Sequence, residues 1–431
     1  MTATLVKSPP LNTPTIHRLA NGLTIIAEQM PVEAVNFNIW LKVGSAVELD
    51  NINGMAHFLE HMVFKGTPRL DSGEFELQIE TRGAVTNAAT SQEYTHYYFT
   101  SAPQDFAHLA PLQLDVVLNP SIADGAFERE RSVILEEIRR SDDNPRRRTY
   151  HKAMETCFQT LPYRRPVLGP STVIEHLQPQ QMRDFHARWY QPSHMTAAVV
   201  GNLPVEELIH TVETSLAGVY SSKAAVNLDH PLEGLQPEKP FTSIIREEYE
   251  DDRLQQARLL MFWRVPGLRH LAQTYSLDVL AVILAQGRVS RLYRQLREEL
   301  GLVTSIAASN MTHGIQGVFS ISCQLPTENY ERVERAIIEE ITKIQQEAIS
   351  ETELSRISTG VANRFIFSNE RPSDRANLYG YYQSQLGDLN PAFSYPEIIE
   401  SLTCADIQKA ALDYLDTDAY GVIFVKPNTE N

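Results

Sequence analysis

Three segments in the first half of the chain have counterparts, in the same order, in the second half. In chain order the pairs are NFNIWLKVGS (36–45) with RLLMFWRVPG (258–267), GAVTNAATS (83–91) with GLVTSIAAS (301–309), and TAAVVGNLP (196–204) with YGVIFVKPN (420–428). Matches that keep their order and rough spacing are typical of an internal duplication. We therefore predict that the 431 residues form two similar domains.

The stretch between the two halves has the composition of a linker, because residues 221–245 carry Ser, Pro and charge without hydrophobic periodicity. We predict domains over 1–222 and 246–431, joined by a linker over 223–245. Strand-like and helix-like patterns alternate in both halves, so the predicted fold class is α+β. Each domain is expected to be a mostly antiparallel sheet packed with helices. The two domains are expected to enclose a substrate cleft, since a cleft between two similar halves is a common binding site.

Composition narrows the class of protein. A net charge of −16 argues against a nucleic-acid-binding protein, which would carry basic patches. Three widely spaced cysteines form no disulfide framework.

We find no signal peptide in the first 22 residues and no apolar run of the ~18 residues that a membrane span needs. The expected location is the cytoplasm, or an organelle interior after processing.

The segment GMAHFLEHMVFKG (54–66) predicts a short helix with a potential metal site. His57 and His61 are four residues apart, so they lie on one helix face with Cβ atoms about 5–6 Å apart. Glu60 lies beside that face. A catalytic zinc site uses three protein ligands and one open position, so a third ligand must come from another element.

A second predicted helix, over 125–141, offers candidates for that ligand. Glu130 and Glu137 are two helical turns apart at the edge of its apolar stripe. Each is expected to be partly buried, and a partly buried carboxylate usually has a partner. A metal ion would be such a partner.

A purely structural interpretation stands beside this one. A histidine pair at this spacing occurs on many helices, and the two glutamates could be solvated or salt-bridged. The order H-x-x-E-H, the reverse of H-E-x-x-H, favours a metallopeptidase. His96 and His108 are weaker alternatives as ligands, because one lies in a Tyr-rich strand and the other in a helix-like run without a suitable partner.

Taken together, these segments resemble a known family. HFLEHMVFKGT, GAVTNAATSQEYTHYYF and FERERSVILEEIRRSDDNP are similar to the zinc helix, the following strand and the third-ligand helix of the pitrilysin-like (M16) zinc metallopeptidases. FHARWYQPSHMTAAVVGNL and SRLYRQLREELGL also match, so the resemblance covers nearly the whole chain. It is strongest to the short, two-domain processing proteases, including the β-type subunit of mitochondrial processing peptidase.

The resemblance implies a complete metal site with one zinc ion per chain. His57, His61 and Glu137 would bind the zinc. Glu60 would be the general base for a zinc-activated water. Glu130 would be a supporting carboxylate next to the site.

The resemblance also implies how substrate is held. Asn87 and Ala88 would lie on a strand edge that pairs with an extended peptide backbone; the alternative is that they are ordinary strand residues. In the second half, Arg297 matches an arginine that helps to hold substrate and the developing oxyanion.

One position departs from the family pattern. Active members carry a tyrosine seven residues after that arginine, and this chain has Thr304 there. The departure implies a homodimer, or a heterodimer with a related subunit that carries an Arg/Tyr pair. Alternatively, Tyr379, Tyr381 or Tyr382 takes over that role.

The predicted function is a zinc-dependent endopeptidase that cleaves extended peptides or presequences. The alternative is a non-catalytic core or assembly subunit related to processing peptidases, in which zinc motifs are typically damaged. The second domain is expected to be metal-free, because its counterpart of the zinc helix reads VLAVI (279–283).

Overall fold

Two β-sheets form the framework of the computed structural model, which describes residues 13–220 and 230–428. The strands are β1 Thr15–Arg18, β2 Thr24–Gln29, β3 Val35–Leu41, β4 Val85–Thr90, β5 Thr95–Ser101, β6 Met195–Gly201, β7 Ile245–Asp251, β8 Ala257–Pro266, β9 Ser305–Met311, β10 Gln316–Leu325 and β11 Gly421–Pro427.

The two sheets share one topology. The first has the order β1-β2-β6-β3-β5-β4 and the second β7-β11-β8-β10-β9. Only β2 with β6 and β7 with β11 pair in parallel; the other pairs are antiparallel. Apart from β1, the strands correspond one to one, and each of the three matched segment pairs lies on corresponding strands. The predicted pair of similar, mostly antiparallel sheet-and-helix halves is therefore confirmed.

Burial explains which strands are central. Every residue of β3 and β6 is buried, as expected for strands that are covered on both faces and read as continuous apolar runs. In contrast, β4 alternates between exposed and half-buried residues. It is also the last strand of its sheet.

The helices are α1 Met55–Met62, α2 Glu74–Thr81, α3 Phe106–Leu118, α4 Asp124–Asp143, α5 Pro145–Cys157, α6 Ser171–Ile174, α7 Pro179–Trp189, α8 Val205–Val219, α9 Tyr275–Ala285, α10 Tyr330–Gln346, α11 Glu351–Phe367, α12 Pro372–Leu386, α13 Asn390–Ser401 and α14 Cys404–Tyr414. A π-helical segment covers Tyr293–Glu299. The helices predicted over 54–66 and 125–141 are α1 and α4.

The chain divides into two compact units, each assembled from three segments. Unit 1 comprises Met1–Arg139, Arg165–Glu233 and Phe365–Ser394, and unit 2 comprises Arg140–Arg164, Gly234–Arg364 and Tyr395–Asn431. Each unit contains one of the two sheets and its own hydrophobic core. The linear boundaries expected from sequence stay a prediction, and residues 223–229 of the predicted linker lie outside the described residues.

Each sheet is covered by a helix from the other half of the chain. In unit 1, α12 packs on β3 and β6, and in unit 2, α5 packs on β8 and β11. A buried ion pair holds α12 to the first sheet: the guanidinium of Arg375 lies 3.1 Å from the carboxylate of Glu28, which also accepts a 2.7 Å hydrogen bond from the phenol of Tyr379. Such a pair is costly to break, because one partner would be left buried and uncompensated.

Among the described residues, no helix combines the length and apolar character needed to cross a bilayer.

The contact between α12 and β3 can be tested at Gly380, where an added Cβ would lie 2.1 Å from Nε1 of the buried Trp40. We expect Gly380→Ala to lower the free energy of unfolding by about 1–3 kcal/mol, because the core is overpacked. Gly360→Ala in α11 is the matched control. Its Cβ would meet no atom within 4 Å, so alanine should stabilise by about 0.5–1 kcal/mol. Denaturant titration measures both, and equal effects would contradict this account.

Candidate active site

The N-terminus of α1 is held by a buried carboxylate. Glu48 accepts hydrogen bonds from the backbone N–H groups of Gly54 and Ala56, both at 2.7 Å, and from the side-chain amide of Asn53 at 2.8 Å. These bonds satisfy donors that a helix start leaves unpaired, and a negative charge suits that end of the helix dipole. Burial raises the pKa of Glu48 to about 7, against the opposing effect of its hydrogen bonds.

A stacked aromatic pair connects α1 to α4. The rings of Phe58 and Phe127 lie 4.5 Å apart at 26°, and both side chains are fully buried. Phe58 follows His57 directly, and Glu130 lies three residues, about one turn, after Phe127. The stack therefore joins the helix of the two histidines to the helix of the two glutamates.

His57, His61 and Glu137 bring three potential metal ligands together, with their ligand atoms all within 4.8 Å of one another. The Nε2 atoms of both histidines lie 3.6 Å from Oε2 of Glu137. Zinc bonds to such ligands are about 2.0–2.2 Å long, so atoms at tetrahedral angles would lie about 3.3–3.6 Å apart. Two imidazoles and one carboxylate at these separations fit a zinc ion.

Within the described ranges, this is the one group of three or more His, Cys, Asp or Glu side chains close enough to share a metal ion. His96 and His108 do not belong to it. The ring of His96 is stacked on Trp40 at 4.3 Å, and Nε2 of His108 lies 3.2 Å from the side-chain oxygen of Gln78.

Burial keeps His57 neutral. Its side chain is 9% exposed, and burial, together with the nearby charge of His61, lowers its pKa to about 3. A neutral imidazole is the form that binds a metal. Among the described residues, Nδ1 of His57 has no hydrogen-bond partner. The polar contact of this ring is therefore made by Nε2, which faces Glu137.

The two glutamates of α4 have different surroundings. Glu130 accepts a 2.9 Å hydrogen bond from Nδ1 of His61 and lies 2.8 Å from the ammonium of Lys65. Burial acts to raise its pKa, but these two partners outweigh it and lower the pKa. A proton on Nδ1 leaves Nε2 of His61 free as an acceptor on the side that faces Glu137.

Glu60 is positioned from the first sheet. The hydroxyl of Thr90, at the end of β4, donates a 2.5 Å hydrogen bond to Oε2 of Glu60. Burial raises the pKa of this carboxyl despite that bond. Thr90 thereby holds the carboxyl, which belongs to the residue directly before His61 in α1.

Asn87 and Ala88 lie on β4, whose outer edge has no neighbouring strand in the described sheet. They face Tyr98 and Tyr97 across the pair with β5. The backbone N–H of Ala88 donates to the side-chain oxygen of Asn87 at 2.9 Å. The strand that carries Thr90 thus also presents an open backbone edge.

Arg297 and Thr304 belong to unit 2. The exposed guanidinium of Arg297 lies 4.8 Å above the ring of Tyr293. The hydroxyl of Thr304 donates to the side chain of Gln256 at 2.7 Å. Of the tyrosines considered as replacements for a tyrosine at position 304, Tyr379 already donates a buried hydrogen bond from its phenol to Glu28.

Sequence reasoning missed three residues that hold the site: Glu48, Lys65 and Thr90. Lys65 lies four residues after His61, a spacing that signals a shared face. Glu48 and Thr90 act across loops and strands, so no periodic pattern marks them.

Comparison with known proteins places this chain in a family. Residues 23–171 match the family model described as Insulinase (Peptidase family M16), and residues 176–361 match the model described as Peptidase M16 inactive domain. Together the two models span most of the chain. The chain belongs to the M16 family of peptidases.

Relatives extend the match to nearly full length. A protein of Rickettsia felis named as an uncharacterized zinc protease is 27% identical over 397 residues, which cover 92% of this chain and 93% of that protein. Zinc protease PqqE of Helicobacter pylori is 25% identical over 416 residues, covering 95% and 92%. The crystal structure of a protease from Helicobacter pylori superposes with a TM-score of 0.90 at 24% identity, covering 97% of this chain and 100% of that one. The last comparison establishes the fold of this M16 chain.

Loss of the Glu48 carboxylate tests the anchoring of α1. We expect Glu48→Ala to lower the free energy of unfolding by about 1–3 kcal/mol, because buried N–H groups lose their acceptor. Glu80→Ala, an exposed glutamate of α2, should change it by less than about 0.5 kcal/mol. Denaturant titration of both variants compares them, and a Glu48→Ala effect no larger than the control would rule out the anchoring role.

Proposed function

We propose that this M16 chain is a zinc-dependent endopeptidase that holds one zinc ion with His57, His61 and Glu137. The observation that carries the proposal is the convergence of three ligand atoms within 4.8 Å, with Glu60 immediately before His61 in the helix. A third ligand from α4 and an adjacent carboxylate are what a hydrolytic metal site requires beyond a histidine pair.

The chain's own residues would divide the chemistry as follows. When bound, zinc supplies Lewis acidity that polarises a carbonyl and acidifies water. Glu60 is the proposed general base: Thr90 holds its carboxyl in place, and the carboxyl would take the proton of the attacking water. The same carboxyl would then return that proton to the leaving amine.

Glu130 is proposed to position His61 and not to touch the substrate. Its hydrogen bond to Nδ1 fixes the ring orientation, and Lys65 neutralises its charge. Partners of this kind commonly change metal affinity by 10–100-fold.

The proposed substrates are extended peptides, including presequences. The open edge of β4 supports this, because an extended backbone can add to it as a further strand at Asn87 and Ala88. Main-chain hydrogen bonds give affinity with little dependence on sequence, as a processing protease requires.

The partner proposal rests on unit 2. Arg297 is exposed, whereas Thr304 has a short side chain already bonded to Gln256, and Tyr379 is bonded to Glu28. We propose that the chain forms a homodimer, or that it is the zinc-bearing member of a heterodimer whose related partner subunit supplies an Arg/Tyr pair. A location in the cytoplasm or in an organelle interior stays a prediction.

A non-catalytic assembly role is the second candidate. The observation in its favour is that the model matching 176–361 is described as an inactive domain. Such a subunit would need neither stoichiometric zinc nor Glu60.

The deciding experiment is to assay the purified, zinc-loaded chain alone against unstructured peptides of about 10–30 residues. Cleavage that EDTA abolishes and zinc restores would support a complete peptidase and remove the need for a partner. Bound zinc without cleavage would support the two-chain form, and pull-down would then seek the partner. A chain that binds no zinc would exclude the proposed peptidase.

For the active enzyme, Glu60→Gln should lower kcat by at least about 100-fold, because an amide cannot accept the water proton. Zinc content should stay at the wild-type level, since Glu60 is not a proposed ligand. The control is Glu80→Gln, which removes an exposed carboxylate of α2 and should leave both values unchanged. Metal analysis and peptide cleavage are the two readouts, and wild-type kcat in Glu60→Gln would exclude Glu60 as the base.

Glu130→Ala should weaken zinc binding by about 10–100-fold, because His61 loses the acceptor that orients it. Glu128→Ala is the matched control on the same helix: Glu128 is paired with Arg131 and contacts neither histidine. Competition with a chromophoric chelator measures both affinities. Equal affinities for the two variants would show that Glu130 does not support the metal site.

A further inference from the structure

Unit 2 contains a cavity of about 550 Å³ on the face of the second sheet that α5 covers. Residues of α5 form one wall, and β8, β9 and β10 form the other. Its volume is in the range of small-ligand sites. Every residue that lines it belongs to unit 2, so it is separate from the residues of the proposed metal site.

The charge of the cavity is opposite to that of the chain. Arg146 at the start of α5 and Arg258 on β8 both line it, and no carboxylate stands among the described lining residues. The chain as a whole carries a net charge of −16. A positive cavity in an acidic protein favours a small anion over the surrounding surface.

Within the described ranges, neither guanidinium is paired with a carboxylate. Nε of Arg258 is shielded from solvent and has no hydrogen-bond partner among the described residues. Burial and the charges of Arg146 and Arg148 lower the pKa of Arg258. The third of these arginines, Arg148, is paired with Asp251, which leaves Arg146 and Arg258 for a ligand. A planar guanidinium recognises a carboxylate with two parallel hydrogen bonds.

The remaining wall has hydroxyl-bearing and apolar residues. Ser305 and Ser309 on β9 and Ser320 and Ser322 on β10 are among its lining residues. The hydroxyls of Ser309 and Ser320 lie 3.0 Å apart and that of Ser305 donates to Gln324, and a hydroxyl can both donate and accept, so these groups can also bond to an amide. The apolar part is formed by side chains that include Leu260, Phe262, Val318 and Met154. A ligand that matches all three kinds of surface carries a carboxylate, an amide and an apolar group.

We propose that this cavity binds the C-terminal residue of a peptide, with Arg258 and Arg146 holding the α-carboxylate, the serines facing the last amide, and an apolar side chain on Leu260 and Phe262. The peptide as ligand rests on the proposed peptidase function, whereas the carboxylate site rests on the cavity alone.

Binding can be measured without cleavage in the full-length Glu60→Gln chain by titration calorimetry. The probes are acetyl-Gly-Gly-Leu as the free acid, the same peptide as its amide, hexanoate, and inorganic phosphate. We expect the acid to bind at least about tenfold more tightly than the amide, because only the acid offers charge-assisted bonds to the guanidinium groups. Equal binding of acid and amide would overturn the proposal. Tighter binding of phosphate, or of hexanoate, would overturn the peptide assignment.

Arg258→Gln should weaken binding of the acid by about tenfold and leave the amide unchanged. Arg332→Gln removes an equal charge from an exposed site on α10 that does not line the cavity, and should change neither. If Arg258→Gln does not fold, Arg146→Gln at the exposed start of α5 applies the same test. An unchanged affinity for the acid in whichever of these two variants folds would exclude the site. Failure of the metal-dependent cleavage assay would leave these binding results intact, so the two proposals fail separately.

Discussion

The stack of Phe58 on Phe127 is the contact on which the candidate site depends, because it holds α1 against α4. The two helices are far apart in sequence, and each carries only part of the ligand set. Loss of a buried phenylalanine in a core typically costs about 3–5 kcal/mol, more than any single polar contact around the site. With the contacts of Glu130 to His61 and Lys65, this apolar contact joins the two helices on which His57, His61 and Glu137 meet within 4.8 Å.

Around that contact, hydrogen bonds restrict several of the polar groups. Glu48 holds the start of α1, Glu130 orients His61, and Thr90 holds Glu60. These groups come from a loop, a helix and an edge strand. The proposed chemistry thus uses side chains that buried or partly buried hydrogen bonds hold in place.

The duplicated halves have kept their topology while their surfaces diverged. The helix that corresponds to α1 is α9, which has Val279 and Ile283 where α1 has its two histidines. On the sheets, Asn36 of β3 corresponds to Arg258 of β8: the first is fully buried and bonded to Thr100, whereas the second lines the cavity. The same framework therefore carries a metal-ligand group in one unit and a positively charged cavity in the other. This is possible because the sheet topology depends on the buried apolar residues of the strands, whereas residues outside the core can change.

The sequence by itself determined the duplication, the mixed α and β architecture, and the histidine and glutamate positions, because these depend on local periodicity and on order along the chain. Helix spacing alone places His57 and His61 on one face. Spacing alone left Glu130 and Glu137 equivalent at one edge of one stripe, and the tertiary structure shows that Glu137 faces both histidines whereas Glu130 bonds to one of them. It also showed that α5 and α12 cover the sheet of the opposite half, and that Glu48, Lys65 and Thr90 hold the site. Those contacts join residues that no local period connects, so they exist only once the helices and sheets have packed.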